Sequence, residues 1–232
     1  MSYFISFEGG EGTGKSTQIK ILKGKIDSSN YKCLVIQEPG TTQLGNKLRN
    51  LLKKETPREE SITYMSELLL FSAARSELVT KIIKPNLKKN NLIIIADRYV
   101  DSTTAYQGFG RNLVLSEIEL INNIATQMIY PDITFLLDSS PKIMSHRIMT
   151  KDNQSKHVTP ENVRKDVKGS RKFEEEPLDF HNRVRNGYLE ILKSYPSRII
   201  KIDANQDKNC LLYTSDAADE GLGVDLGGRR II

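Results

Sequence analysis

The segment Gly9-Gly10-Glu11-Gly12-Thr13-Gly14-Lys15-Ser16 constrains this chain more than any other stretch. It matches G-x-x-x-x-G-K-[ST] at every fixed position, follows the short apolar run of residues 3–7 and opens a helical pattern carried by Ile19, Ile21, Leu22 and Ile26. Glycines let such a loop curl until successive N–H groups face phosphate oxygens, and the next helix adds the partial positive charge of its N-terminus. Lys15 is expected on the β and γ phosphates of a nucleoside triphosphate, and the Ser16 hydroxyl on Mg2+. Strand, glycine loop and helix in this order call for an α/β protein with its ligand at the carboxyl ends of the strands.

The remaining pattern agrees. Residues 33–36, 92–96, 133–137 and 198–202 read as four further strands, and the second and third of these are almost wholly apolar, as strands covered on both faces should be. Helices are expected between them: a basic amphipathic one with Leu44, Leu48, Leu51 and Leu52, a longer one over 62–87 perturbed at Pro85, one opened by a Ser116/Glu119 capping box, one from Pro141 and one over 178–194. The fold expected is a five-stranded parallel sheet with helices on both faces. Glu38-Pro39-Gly40, Asp97-Arg98 and Asp138 then all sit at strand ends, with the glycine loop. Residues 151–172 are polar and charged and read as a mobile surface segment.

Composition narrows the partners. The chain has 232 residues with 34 Lys plus Arg against 29 Asp plus Glu, enough for one large domain and compatible with an anionic ligand. Basic residues are spread along it rather than gathered in a tract, so charge does not by itself distinguish a nucleotide from a nucleic acid; with the motifs taken up below, a nucleotide and no nucleic-acid partner is expected. No apolar run reaches the roughly 18 residues of a membrane span and no secretory signal is visible, which leaves a cytoplasmic address. Two cysteines, Cys33 and Cys210, exclude a disulfide framework or zinc cluster. A guanine-reading N-K-x-D is missing, because Asn46-Lys47-Leu48-Arg49 lacks the aspartate.

Glu11 is awkward inside an anion-binding loop, where phosphate repels it. It needs a partner such as a sugar hydroxyl, or it turns to solvent or pairs with a nearby Lys or Arg. The loop is joined in the correct order by Glu38-Pro39-Gly40-Thr41, Leu70-Phe71-Ser72-Ala73-Ala74-Arg75, Asp97-Arg98-Tyr99 and Ser102-Thr103-Thr104-Ala105-Tyr106-Gln107-Gly108. With these motifs the chain resembles the thymidylate kinase family of P-loop nucleotide kinases over roughly residues 3–205.

The resemblance implies transfer of the γ-phosphoryl of ATP to dTMP, giving dTDP for dTTP synthesis, with Mg2+. It assigns the loop from Gly9 to Thr17 (Gly9, Gly10, Glu11, Gly12, Thr13, Gly14, Lys15, Ser16 and Thr17) to ATP. Asp97 would orient the Mg2+ shell or the acceptor phosphate, and Arg98 would bridge the transferring group. Arg49, on pattern alone an exposed helix charge, would hold the dTMP phosphate. Phe71, on pattern alone a core residue, would stack on thymine while Arg75 meets its carbonyl edge. Thr103 would contact the pyrimidine, Tyr106 would press on the sugar at C2′ and exclude a ribose hydroxyl, and Glu11 would accept from the 3′-hydroxyl. Glu38, Pro39, Ser102 and Gln107 complete the acceptor region. Gly12 after Glu11 implies that a lid, residues 147–172, supplies the catalytic arginine, with Arg147 and Arg171 the candidates. A homodimer through the long helices is implied too. Residues 206–232 carry no helical period where the family has a closing helix, and about the last 22 read as foreign to the fold.

Overall fold

The computed structural model describes residues 1–53, 61–155, 173 and 176–205. Arg171, most of the expected lid and the tail 206–232 lie outside the described residues. Five strands form one sheet: β1 (Tyr3–Glu8), β2 (Lys32–Gln37), β3 (Leu92–Asp97), β4 (Ile133–Asp138) and β5 (Ile199–Asp203). Every pairing is parallel, in the order β2-β3-β1-β4-β5. The helices are α1 (Lys15–Asp27), α2 (Gln43–Lys53), α3 (Tyr64–Leu78), α4 (Lys84–Leu87), α5 (Val100–Thr103), α6 (Leu115–Thr126), α7 (Pro141–Ser155) and α8 (Leu178–Ser194). Among the described residues no helix is long and apolar enough to cross a membrane.

Alternation along the strands builds two cores. Ile93 and Ile95 of β3 join Phe7, Phe135 and Leu137 beneath α1, through Ile19 and Ile26. The intervening Leu92, Ile94 and Ala96 point to the opposite face, where Phe4 packs with Leu78, Val79 and Ile83. A third cluster, Ala105, Tyr106, Leu136, Phe180, Val184 and Tyr188, seats α8. Odd positions of β1 therefore face α1, and even positions, Phe4, Ser6 and Glu8, face the other layer.

Several boundaries differ from the sequence expectation for identifiable reasons. The helix over 62–87 is capped by Thr63, whose side chain accepts from the Ser66 N–H, and it widens into a π-helical turn at Val79–Ile83 before Pro85. Proline has no N–H to donate backwards, and there the Lys84 N–H reaches Val79 instead. Ser116 is not a cap: α6 starts at Leu115 after an extended Val114 with no side-chain cap, leaving Ser116 inside the first turn. The helix from Pro141 runs through Ser155, so residues 151–155 are helical rather than part of a loop. Arg198 stands just before β5, its guanidinium paired with Asp101.

Candidate active site

The register of β1 against β3 places Phe7 beside Asp97, so the glycine loop and the Asp97-Arg98 pair leave neighbouring strands at the same level. Two glycines are required by the loop itself. Gly9 has φ 130°, and a Cβ there would meet the Leu137 carbonyl oxygen at 2.3 Å. Gly14, at φ 95°, caps α1 in the left-handed region. Lys15 is buried, and its ammonium donates to the carbonyls of Gly9 at 3.1 Å and Gly10 at 2.7 Å. Burial, then the nearby Arg98, pulls Lys15 down to about 8, with Glu11, Asp97 and Glu8 acting in the opposite direction.

Ser16 donates to the Asp97 carboxylate at 3.2 Å. A hydroxyl and a carboxylate converging beside a phosphate loop are hard oxygen donors of the kind Mg2+ takes, so the residues fit that ion.

Arg98 joins the two halves of the site. It is a non-glycine residue at φ 76°, a left-handed conformation that persists only where the surroundings enforce it. Its guanidinium donates to the Gly9 carbonyl at 2.9 Å, Ser102 Oγ at 3.1 Å and the Tyr188 hydroxyl at 3.2 Å. It also reaches Glu11 at 2.8 Å and the Tyr106 hydroxyl at 3.2 Å. Burial alone would lower its affinity for a proton, but Glu11, Tyr106, Tyr188 and Glu8 raise it well above the usual arginine value. Glu11, the awkward loop carboxylate, is paired with an arginine in this structure.

Arg75 is almost fully buried and heavily engaged. It pairs with Glu38, donates to Asn122 at 2.7 Å and to Thr103 at 2.8 Å, and contacts the Tyr99 carbonyl. Burial pushes the Glu38 carboxyl up, while Arg75 pulls it down. Arg49 of α2 donates to the Pro39 carbonyl at 2.9 Å, and burial lowers its proton affinity. Gln107 and Arg111 both donate to the buried Glu67 of α3. The Tyr106 ring packs on Phe173, Phe180 and Tyr188.

One cavity of about 360 Å³ unites these groups. Its lining brings together Glu11, Gly12, Gly14, Lys15, Ser16 and Thr17 with Glu38, Pro39, Arg49, Phe71, Arg75, Asp97, Arg98, Ser102, Thr103, Tyr106 and Gln107. Gly9, Gly10 and Thr13 lie in the loop but outside that lining. Arg147 is also outside it, since its guanidinium donates to the Ala204 carbonyl at 2.7 Å beyond β5. The cavity adds Gln37, Leu52 and Phe173, which the motifs did not single out, and Tyr99, which stood in the Asp97-Arg98-Tyr99 motif without a role. Nor did they single out Glu8 or Tyr188, the groups behind Arg98; the even register of Glu8 with Phe4 and Ser6 was the available signal.

Comparison with known proteins agrees with this geometry. A family model described as thymidylate kinase matches residues 7–213. Thymidylate kinase of a Dehalococcoides mccartyi strain is 42% identical over 205 residues, covering 88% of this chain and 89% of that protein. Thymidylate kinase of Caldanaerobacter subterraneus subsp. tengcongensis is 38% identical over 206 residues, 88% of each chain. The crystal structure of thymidylate kinase from Ehrlichia chaffeensis matches with a TM-score of 0.69 at 32% identity, over 94% of this chain and 98% of that one. Sequence, sheet and cleft together place this chain in the thymidylate kinase family.

Proposed function

We propose that this cleft transfers the γ-phosphoryl group of ATP to dTMP, releasing ADP and dTDP for dTTP synthesis. The observation that carries the reading is Arg98, bonded at once to the phosphate loop through Gly9 and Glu11 and to the Tyr106 wall of the same cavity. The loop N–H groups and Lys15 take the donor phosphates, and Arg49 and Arg98 take the acceptor phosphate. An acceptor oxygen attacks the γ phosphorus while its bond to the bridging β,γ oxygen breaks. The attacking phosphate is already anionic, so alignment and charge neutralisation matter more than a strong base. Arg98 suits this task because its planar fork binds phosphate through two N–H groups and keeps its charge. Ser16 and Asp97 would hold Mg2+, whose charge offsets that of the phosphates. A lid arginine adds a further positive charge: Arg171, or Arg147 on leaving the Ala204 carbonyl that holds it outside the cavity.

Phe71 stacks on thymine, and Arg75, a donor at every nitrogen, meets its carbonyl edge with Thr103 beside it. Gln107 with Ser102, Glu38 and Pro39 completes the wall, and Glu11 keeps an acceptor for the 3′-hydroxyl. The Tyr106 ring leaves no room for a 2′-hydroxyl. A homodimer with a cytoplasmic address belongs to the same reading; exposed Leu69 on α3 and Leu120 and Ile124 on α6 support the dimer. The test is ADP release from ATP and Mg2+ with and without dTMP, across a panel of dUMP, dCMP, dGMP and ribonucleotide acceptors. Release that leads with dTMP is expected. A panel in which another acceptor leads overturns the assignment.

A further inference from the structure

We propose that Glu8, which does not line the cleft, is a positioning residue that fixes Arg98 in its bridging pose through Ser102 and Tyr188. The inference rests on the phosphotransfer reading and adds a residue to it.

Strand alternation sends Glu8, the last residue of β1, into the layer that holds Phe4 and Ser6, where it is wholly buried. An ionised carboxylate there is costly without full hydrogen bonding. Glu8 obtains it from three donors. Oε1 accepts the Tyr99 N–H at 2.7 Å, and Oε2 accepts Ser102 Oγ at 2.5 Å and the Tyr188 hydroxyl at 3.1 Å.

Those same two hydroxyl oxygens accept from Arg98 Nη1, at 3.1 and 3.2 Å. The two hydroxyls also stand 2.9 Å from one another, but an ionised carboxylate is the stronger acceptor, and a hydroxyl's single proton directed at Glu8 turns a lone pair toward the guanidinium. The carboxylate thereby sets which way both struts point. It also holds the backbone, because the Tyr99 N–H it accepts belongs to the peptide directly after Arg98, the residue at φ 76°. Side chain and strained main chain of Arg98 are thus referred to one buried carboxylate.

Glu8 is moreover set to respond to pH. Burial, and then the charge of Asp101, push it up to about 7, while Ser102, Arg98 and the Tyr99 N–H pull it back. The charged groups facing it are Arg98, Asp101, Arg198 and Lys15, with the Tyr188 hydroxyl alongside. A protonated Glu8 must donate to one strut, which then has to turn its own proton elsewhere, and the cage around Arg98 loosens.

The experiment is steady-state kinetics of the full chain from pH 6 to 8 for wild type, Glu8→Gln, Tyr188→Phe and their double variant, with thermal unfolding alongside. Glu8→Gln is expected to lower kcat by about tenfold with KM for ATP and dTMP within about twofold, and to remove the acid limb of the kcat profile. Tyr188→Phe lowers kcat in the same direction, and the double variant is no worse than Glu8→Gln. A folded Glu8→Gln that keeps kcat within about twofold overturns the proposal, as does one that loses kcat but keeps the acid limb. If Glu8→Gln does not fold, Tyr188→Phe with Ser102→Ala breaks both struts while retaining the carboxylate, and an unchanged kcat there overturns it. A wild type without dTMP-dependent turnover would instead sink the phosphotransfer reading.

Discussion

Glu67 shows what a single buried charge costs this chain. It is fully buried on α3, accepts from Gln107 at 3.0 Å and from Arg111 at 3.2 Å, and Arg111 also reaches the more exposed Glu176. Removing one member of a buried pair leaves its partner uncompensated, whereas replacing both with apolar groups relieves the desolvation of each. Glu67→Ala strips Gln107 of its acceptor and leaves Arg111 with Glu176 alone, so it should lower the urea unfolding free energy by about 2 kcal/mol, and Glu67→Met with Arg111→Met should recover at least half of the loss. The affinity for dTMP should fall in the single variant as well, because Gln107 belongs to the cavity wall.

Glu8 carries the opposite sign of pH dependence from a salt-bridged carboxylate. Its folded-state value lies near 7, above the ordinary 4.5, so its contribution to stability is fully present below about 4.5 and is lost as pH rises through 7. Urea unfolding at intervals from pH 5 to 8 should show a decline in wild type that Glu8→Gln flattens.

At the scale of elements, α8 lies unusually close to the π-helical turn Thr104–Gly110, and two glycines permit it. A Cβ on Gly187 would stand 2.7 Å from Phe109 Cγ and 2.8 Å from its Cβ, while one on Gly110 would meet Phe180 at 2.7 Å. Alanine in a helix interior normally gains about 1 kcal/mol over glycine, but overpacking costs about 1–3 kcal/mol, and the root of the Phe109 side chain cannot swing aside. Gly187→Ala should thus destabilise the protein despite its better helix propensity. It should also lower kcat, because the neighbouring Tyr188 braces Arg98. Urea unfolding and steady-state kinetics on one preparation measure both.

These elements also explain what was legible in advance. Apolar runs such as 92–96 and 133–137 announce strands covered on both faces, and the glycine loop places the site at their carboxyl ends. Packing of α8 through Gly187 left no mark, because glycine contributes nothing to an apolar period. The Ser116/Glu119 spacing misled, since Val114 already supplies the extended residue before α6. Glu8 read only as the polar residue between the apolar run 3–7 and the glycine loop, because its meaning depends on Ser102 and Tyr188, 94 and 180 residues further along the chain.

For the whole molecule, the outward face of α3 and α6 poses the last question. Leu69 is 51% exposed, and Leu120 and Ile124, one turn apart on α6, are 61% and 69% exposed. The neighbouring α2 exposes Leu44 and Leu51. Apolar side chains gathered on helices that pack against one another are what a stable self-association surface requires. Ile124→Glu would put a carboxylate into that surface, and sedimentation equilibrium should find wild type dimeric and the variant monomeric at the same micromolar concentration. A wild type that stays monomeric removes the dimer from the reading. The variant should also separate the two substrates. Leu69 lies on the same helix as Phe71 and Arg75, which line the cavity, so a dimer contact on that face would buttress the nucleobase wall from behind. The phosphate loop instead rests on β1 and α1, on the sheet face cored by Phe7 and Ile19. Loss of the dimer should therefore raise KM for dTMP by a factor of about three to ten while KM for ATP stays within about twofold.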